Sequence, residues 1–192
     1  MEFIKSLLIV FMAFVFMASS CTKQSNSPTN VLPPPTTQGL NTFGCLVNGQ
    51  VFVPQKPSDD IGTYLECDYE FLYPGDTTKG YIFNVSGKDK PNGNELSSVG
   101  VTLDSTQLHQ GDTFQLGSSG VGKKYGGYIS SSLNTGYFVY NTTDTVTGQI
   151  IITFLDQANL IVSGTFWFDA ISSSAPDTVH VRQGVFDMHY TR

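Results

Sequence analysis

The residue types with the most chemistry to offer lie near the C-terminus. In residues 160–171, Leu160, Val162, Phe166 and Phe168 alternate with Ile161, Ser163, Thr165, Trp167 and Asp169. The only tryptophan therefore shares the more polar face of a strand. If that strand forms a hairpin with residues 178–191, Trp167 falls near Arg182 and Asp169 near His180. Those four side chains would make an aromatic, charged patch on a rigid sheet. An indole stacks on the apolar face of a sugar ring, charged neighbours fix its hydroxyls, and an arginine over the indole adds a cation–π contact. The plainer alternative is that Trp167 packs against a second sheet or a covering loop, because exposed tryptophan is uncommon.

Other familiar chemistries meet objections in the sequence. Gly117-Ser118-Ser119-Gly120-Val121-Gly122-Lys123-Lys124 nearly spells a phosphate-binding loop, but Lys124 stands where a serine or threonine must hold magnesium. Tyr125-Gly126-Gly127-Tyr128 follows it, which is no start for the helix whose amides would face a phosphate. His109, His180 and His189 lack the spacing of a metal-binding pair, so no metal is expected. Asp59-Asp60 and Asp89 to Glu95 hint at calcium, but the second lacks alternating carboxylates, and both read as turns. No Gly-x-Ser-x-Gly elbow is present, and no motif asks for a cofactor. Catalytic residues are therefore not assigned.

The elements that must position these residues are strands. Period-two alternation recurs, and no window has convincing helical periodicity. Leu65, Cys67, Tyr69, Phe71 and Tyr73 share one face while Glu66, Asp68 and Glu70 occupy the other, as in a half-buried antiparallel strand. Tyr81 with Phe83 and Val85, and Val99 with Val101 and Leu103, repeat the pattern. Residues 42–47, then Asn48-Gly49, then residues 50–54 read as a hairpin whose turn accepts positive φ and whose register sets Cys45 opposite Phe52. Further strands fall near 112–116, 125–131, 136–140, 149–155, 160–171 and 178–191. In the last, the apolar parity switches at Gln183-Gly184, where a β-bulge at Gly184 would change the inward set without ending the strand. The expected fold is all-β, an antiparallel two-sheet sandwich, with a partly open barrel as the alternative.

Cys45 and Cys67 both fall on apolar faces, which suits a disulfide and equally suits two buried thiols. The net charge of −6 with scattered lysines argues against nucleic acid. Residues 1–20 read as a signal peptide: Lys5, a short apolar run, then Ala18-Ser19-Ser20. Residues 21–40, rich in Ser, Thr, Asn, Gln and Pro with Pro33-Pro34-Pro35, read as a disordered tether. Residues 41–192 then form one all-β domain, long enough for a sizeable core.

The run from Leu7 to Cys21 resembles the lipobox of bacterial lipoproteins, with Ala18 where that family most often has leucine. The resemblance implies that Cys21 is acylated, as with palmitate, and becomes the new N-terminus; a conventionally cleaved signal with Cys21 as a free thiol is the alternative. Several acyl chains hold stably where one does not. Thr22, rather than aspartate, after the cysteine implies the outer membrane as the location, and the lack of acidic residues in 23–27 leans toward the periplasmic face. Asp76-Thr77-Thr78, Asp104-Ser105-Thr106, Asp144-Thr145-Val146 and Asp177-Thr178-Val179 resemble the acceptor signal for O-glycosylation in some Gram-negative envelopes. Thr77, Ser105, Thr145 and Thr178 would carry the sugar; ordinary turns and strand starts are the alternative.

Two longer stretches carry a family likeness. Leu32 to Pro54, containing Pro-Pro-Pro-Thr-Thr-Gln-Gly-Leu-Asn-Thr-Phe-Gly-Cys, and Val162-Ser-Gly-Thr-Phe-Trp-Phe-Asp-Ala170 with Gly184-Val-Phe-Asp-Met-His-Tyr190 resemble an uncharacterised, domain-of-unknown-function family of Gram-negative lipoproteins. The likeness implies location and fold class only. The leading expectation is a non-enzymatic, lipid-anchored sandwich that binds a glycan or peptide in the cell envelope. An envelope hydrolase built from distant loops and a structural accessory subunit of an outer-membrane complex are the alternatives.

Overall fold

The computed structural model describes residues 31–55, 61–72, 80–90 and 95–192. Cys21, Thr77, the Asp59-Asp60 turn and most of the Asp89–Glu95 turn lie outside them. Among the described residues there are eleven strands and no helix. They are β1 (Thr42–Val47), β2 (Gln50–Phe52), β3 (Leu65–Phe71), β4 (Tyr81–Asp89), β5 (Glu95–Leu103) and β6 (Thr113–Leu116). Then follow β7 (Lys124–Ser132), β8 (Gly136–Asn141), β9 (Gly148–Asp156), β10 (Ile161–Ile171) and β11 (Thr178–His189).

The strands pair antiparallel in the order β2-β1-β11-β10-β8-β7-β5-β4-β3, with β9 on β10 and β6 on β9. The expected sandwich is therefore present in a modified form. One unclosed sheet folds over into two layers, where two separate sheets were expected. The continuity resides in β10, which pairs with β9 along most of its length and then meets β8 through the single pair Ile171 and Asn141. A bridge between Asp68 and Thr191 ties the far edge back to the end of β11.

Alternation decides which side of each strand is buried. On β3, Cys67 and Tyr69 are buried while Glu66 and Glu70 are exposed. On β10, Val162, Gly164, Phe166, Phe168 and Ala170 face inward. The layers meet through aromatic rings: Phe83 and Phe186 lie 6.1 Å apart, and Tyr69 and Tyr190 5.6 Å. Pairs of this kind contribute about 0.5–1.5 kcal/mol beyond their area.

The first hairpin forms in the expected register, Cys45 opposite Phe52, with Asn48 and Gly49 at φ of 49° and 81°. A second left-handed asparagine, Asn41, precedes β1. Each brackets β11: the His180 amide donates to the Asn48 side chain, and the His189 amide to that of Asn41.

One open alternative is decided and one sequence expectation needs correction. Cys45 and Cys67 are not bridged; both are buried free thiols, on strands in different layers that do not pair. Burial pushes both thiols well above their ordinary range, which leaves almost no nucleophilic thiolate. Residues 31–40, expected to complete a disordered tether, form a strap over the outer face of β1, β11 and β10. Its anchor is Asp187, 1% exposed. That carboxylate accepts from Thr36 Oγ1 at 2.5 Å and from the amides of Gln38, Gly39 and Leu40 at 3.1, 2.8 and 3.3 Å. Ser163 Oγ on β10 supplies another bond at 2.8 Å. Gly39, at φ +68°, passes so close to His189 that a Cβ would lie 2.7 Å from its ring.

Candidate functional site

Trp167 stands on the outer face of β10 with 40% of its surface exposed. Its orientation follows from strand parity, since Phe166 and Phe168 on either side both point into the core. Opposite Trp167 the β10–β11 register shifts. Phe166 pairs with Gly184 and Phe168 with Val181, so Arg182 and Gln183 together face one residue. This is a β-bulge, with Gln183 left-handed at φ 51°. It lies beside the glycine at which the apolar parity switches. Without it either Val181 or Phe186 would point outward.

The bulge brings the four sequence-identified residues together. The Arg182 guanidinium carbon lies 5.4 Å from the Trp167 ring centre. Arg182 Nη2 and His180 Nδ1 both approach Asp169 Oδ1, each at 2.6 Å. Arg182 Nη1 donates to the carbonyls of Phe168 and Val181 at 2.9 and 2.8 Å. Burial alone would raise the Asp169 carboxyl; the bonds and charges of His180 and Arg182 outweigh it and hold it below its usual value. An ionised carboxylate only accepts, so His180 Nδ1 must carry the proton between them. The charged trio is thus occupied internally. It fixes Arg182 as a backing plate for the indole.

The open space lies beside this trio. A groove of about 500 Å³ runs over Trp167 under the strap. Its floor follows from register: Gln149 of β9 is opposite Trp167, and Ile151 is opposite Thr165, which in turn faces Val185. Gln183 closes one side and the Pro33-Pro34-Pro35 triplet forms another. Among the described residues no charged side chain lines it. Sequence reasoning identified Trp167 but missed Gln149, Gln183, Thr165 and the prolines. The prolines belonged to the supposed tether, and Gln149 could be found only from the β9–β10 register.

The remaining candidates are scattered. The glycine-rich segment 117–122 is a loop that leads into β7, where a phosphate site would need a helix. His109 is in an exposed turn, with Nδ1 3.3 Å from Asp112. His189 is exposed on β11. Among the described residues no cluster of histidine, cysteine, aspartate or glutamate could hold a metal. The acceptor positions Ser105, Thr145 and Thr178 are all exposed.

A family model described as a domain of unknown function (DUF6252) matches residues 79–188. That span runs from just before β4 to the end of β11 and includes all four residues of the tryptophan patch. No curated protein and no solved structure matches the chain.

Proposed function

We propose, given that this chain belongs to the DUF6252 family of domains of unknown function, that it is a non-enzymatic, lipid-anchored carbohydrate-binding module of a bacterial outer membrane. The observation that carries this reading is the composition of the groove over Trp167. It couples an exposed indole, stiffened by Arg182, to two amides and a hydroxyl, Gln149, Gln183 and Thr165. Amide groups both donate and accept, which matches the dual character of sugar hydroxyls. The indole and Ile151 offer apolar area to the C–H face of a sugar ring. A peptide or charged ligand finds less to hold here, because the neighbouring charges are already bonded to one another.

The hydrolase alternative has weaker support. The His180–Asp169 pair has the geometry of an oriented base. Among the described residues, however, no serine or threonine hydroxyl bonds His180. Acylation at Cys21 and sugars at Thr77, Ser105, Thr145 and Thr178 complete the proposal. Intact mass of the native protein checks both modifications together. The acyl increment should vanish, and the protein leave the membrane fraction, in Cys21→Ala; an unmodified mass removes the anchor and the glycans from this reading.

Trp167→Ala should weaken binding of a neutral hexasaccharide at this groove at least tenfold, about 1.4 kcal/mol. Its circular dichroism should be unchanged, because the side chain is partly in water. Calorimetry with maltohexaose, laminarihexaose, cellohexaose and chitohexaose reads the effect. Equal titration curves for native and variant protein with every sugar would end this assignment.

A further inference from the structure

On the opposite outer face, that of β3, β4, β5, β7 and β8, the register produces a second feature. Glu66 pairs with Ser86, Ser86 with Gly100, Gly100 with Gly127, and Gly127 with Asn141. Five adjacent strands thus contribute one continuous row, and its third and fourth members have no side chain. Neighbouring strands lie about 4.8 Å apart, so the row extends about 20 Å across the sheet.

The outward rows on either side rise above this floor. Asn84, Thr102 and Tyr125 are in register on one side. Ser98, Ile129 and Val139 are in register on the other. The result is a transverse furrow of about 560 Å³, with Ser119 and Gly120 of the glycine-rich loop at its rim. That loop is pinned. The Gly122 amide donates to Asp104 at 2.6 Å, the Ser118 amide to Asp144 at 3.3 Å, and Thr142 Oγ1 to the Gly117 carbonyl at 2.5 Å. The segment that resembled a phosphate loop therefore serves as a fixed lip of this furrow.

We propose that the furrow is a second binding site, for an extended, uncharged oligosaccharide. Three observations select that ligand class. The furrow crosses the strands, and β4, β5 and β7 each have hydrogen-bonded neighbours on both sides, so a peptide has no backbone ladder to extend. Seven hydroxyl- or amide-bearing side chains line it, and among the described residues Glu66 is the only charged one. The nearby cation, Lys88, continues the Ser98 row and lies 3.9 Å from Glu66, so it is already paired rather than free for an anionic ligand. Tyr125 supplies one aromatic ring beside a floor kept flat by the glycine pair, which admits a chain to backbone depth. Side chains there would crowd their neighbours: a Cβ on Gly100 would lie 3.0 Å from that of Ser86, and one on Gly127 3.2 Å from the Asn141 amide oxygen.

The proposal is independent of the Trp167 groove, so the full-length Trp167→Ala protein is the background for its test. Calorimetry with the same four hexasaccharides should reveal one remaining binding event. Changing salt from about 50 to 500 mM should alter its affinity less than twofold, as expected for a neutral ligand. Gly127→Leu, which fills the floor, and Tyr125→Ala, which empties one wall, should each weaken that event tenfold or more. Tyr125→Ala removes a half-exposed side chain, so it keeps the test valid if Gly127→Leu fails to fold. Absence of binding by the Trp167→Ala protein, binding indifferent to both furrow variants, or a steep salt dependence would overturn the furrow. Titration curves unchanged by Trp167→Ala, with all binding lost when Tyr125→Ala is made alone in the native chain, would overturn the first site and keep the second.

Discussion

Asp187→Ala should cost about 3 kcal/mol of stability and free residues 31–40 from the sheet. The carboxylate receives two hydroxyls and three backbone amides while almost wholly out of water. Hydrogen bonds to a charged group contribute about 1.5–3 kcal/mol each. Their sum is not lost, because a detached strap lets its amides bond water. Asp187→Asn should fall between native and Ala, since its NH₂ would face donors.

The same site sets an acid limb. Burial alone would raise the Asp187 carboxyl; the bonds from Thr36, Ser163, Gly39 and Gln38 outweigh it and hold it at about 2, against an ordinary 3.8. The folded value is the lower one, so the stabilisation is present above about pH 4 and disappears as pH falls toward 2. A gap of nearly two units corresponds to about 2 kcal/mol. Urea titrations across that range should show native stability falling by this amount, with a flatter limb in Asp187→Ala. Hydrogen exchange at the amides of 38–40 should become fast in the variant and stay slow in the native protein at neutral pH. An equal acid limb in both proteins would show that other carboxylates control it.

The strap also illustrates which parts of the molecule the sequence discloses. Period-two alternation carries the strands, because one methylene-rich face of each is buried and the other is wet. The meeting of Trp167 with Arg182, and of Asp169 with His180, was legible because a hairpin fixes register between neighbours in sequence. The parity switch at Gln183-Gly184 disclosed the bulge for the same reason. Residues 31–40 were not legible. Their composition is that of a tether, and what orders them is an aspartate nearly 150 residues away. The furrow was hidden differently. Its row of Glu66, Ser86, Gly100, Gly127 and Asn141 exists only once five strands are aligned, and no local signal marks any one of them. The bridging of Cys45 and Cys67 was likewise undecidable, since apolar parity is shared by buried thiols and disulfides.

The fold-over itself should depend on Phe168, and this prediction tests the layer contact most directly. Its side chain is fully buried and fits a notch made by two glycines. A Cβ on Gly126 of β7 would lie 2.5 Å from the Phe168 ring, and one on Gly148 of β9 2.3 Å from the Phe168 Cβ. Phe168→Ala should cost about 3–5 kcal/mol, the transfer term plus the cavity it leaves. Gly126→Ala should cost about 1–3 kcal/mol by overpacking. The obstacle there is a side chain, so Gly126→Ala with Phe168→Leu should be less destabilised than the two single costs added. Gly148→Ala should resist such rescue, because its Cβ would also lie 2.4 Å from the Trp167 carbonyl oxygen, which is backbone. Relieving that contact moves β10 at the residue whose indole forms the groove. Gly148→Ala should therefore reduce sugar binding at the Trp167 groove as well as stability, whereas Gly126→Ala should leave binding at that groove unchanged. Denaturant melts of these variants and of Phe168→Leu alone, with parallel calorimetry, separate these outcomes. Additive costs in the Gly126–Phe168 pair would mean that the layers are not locked through this ring.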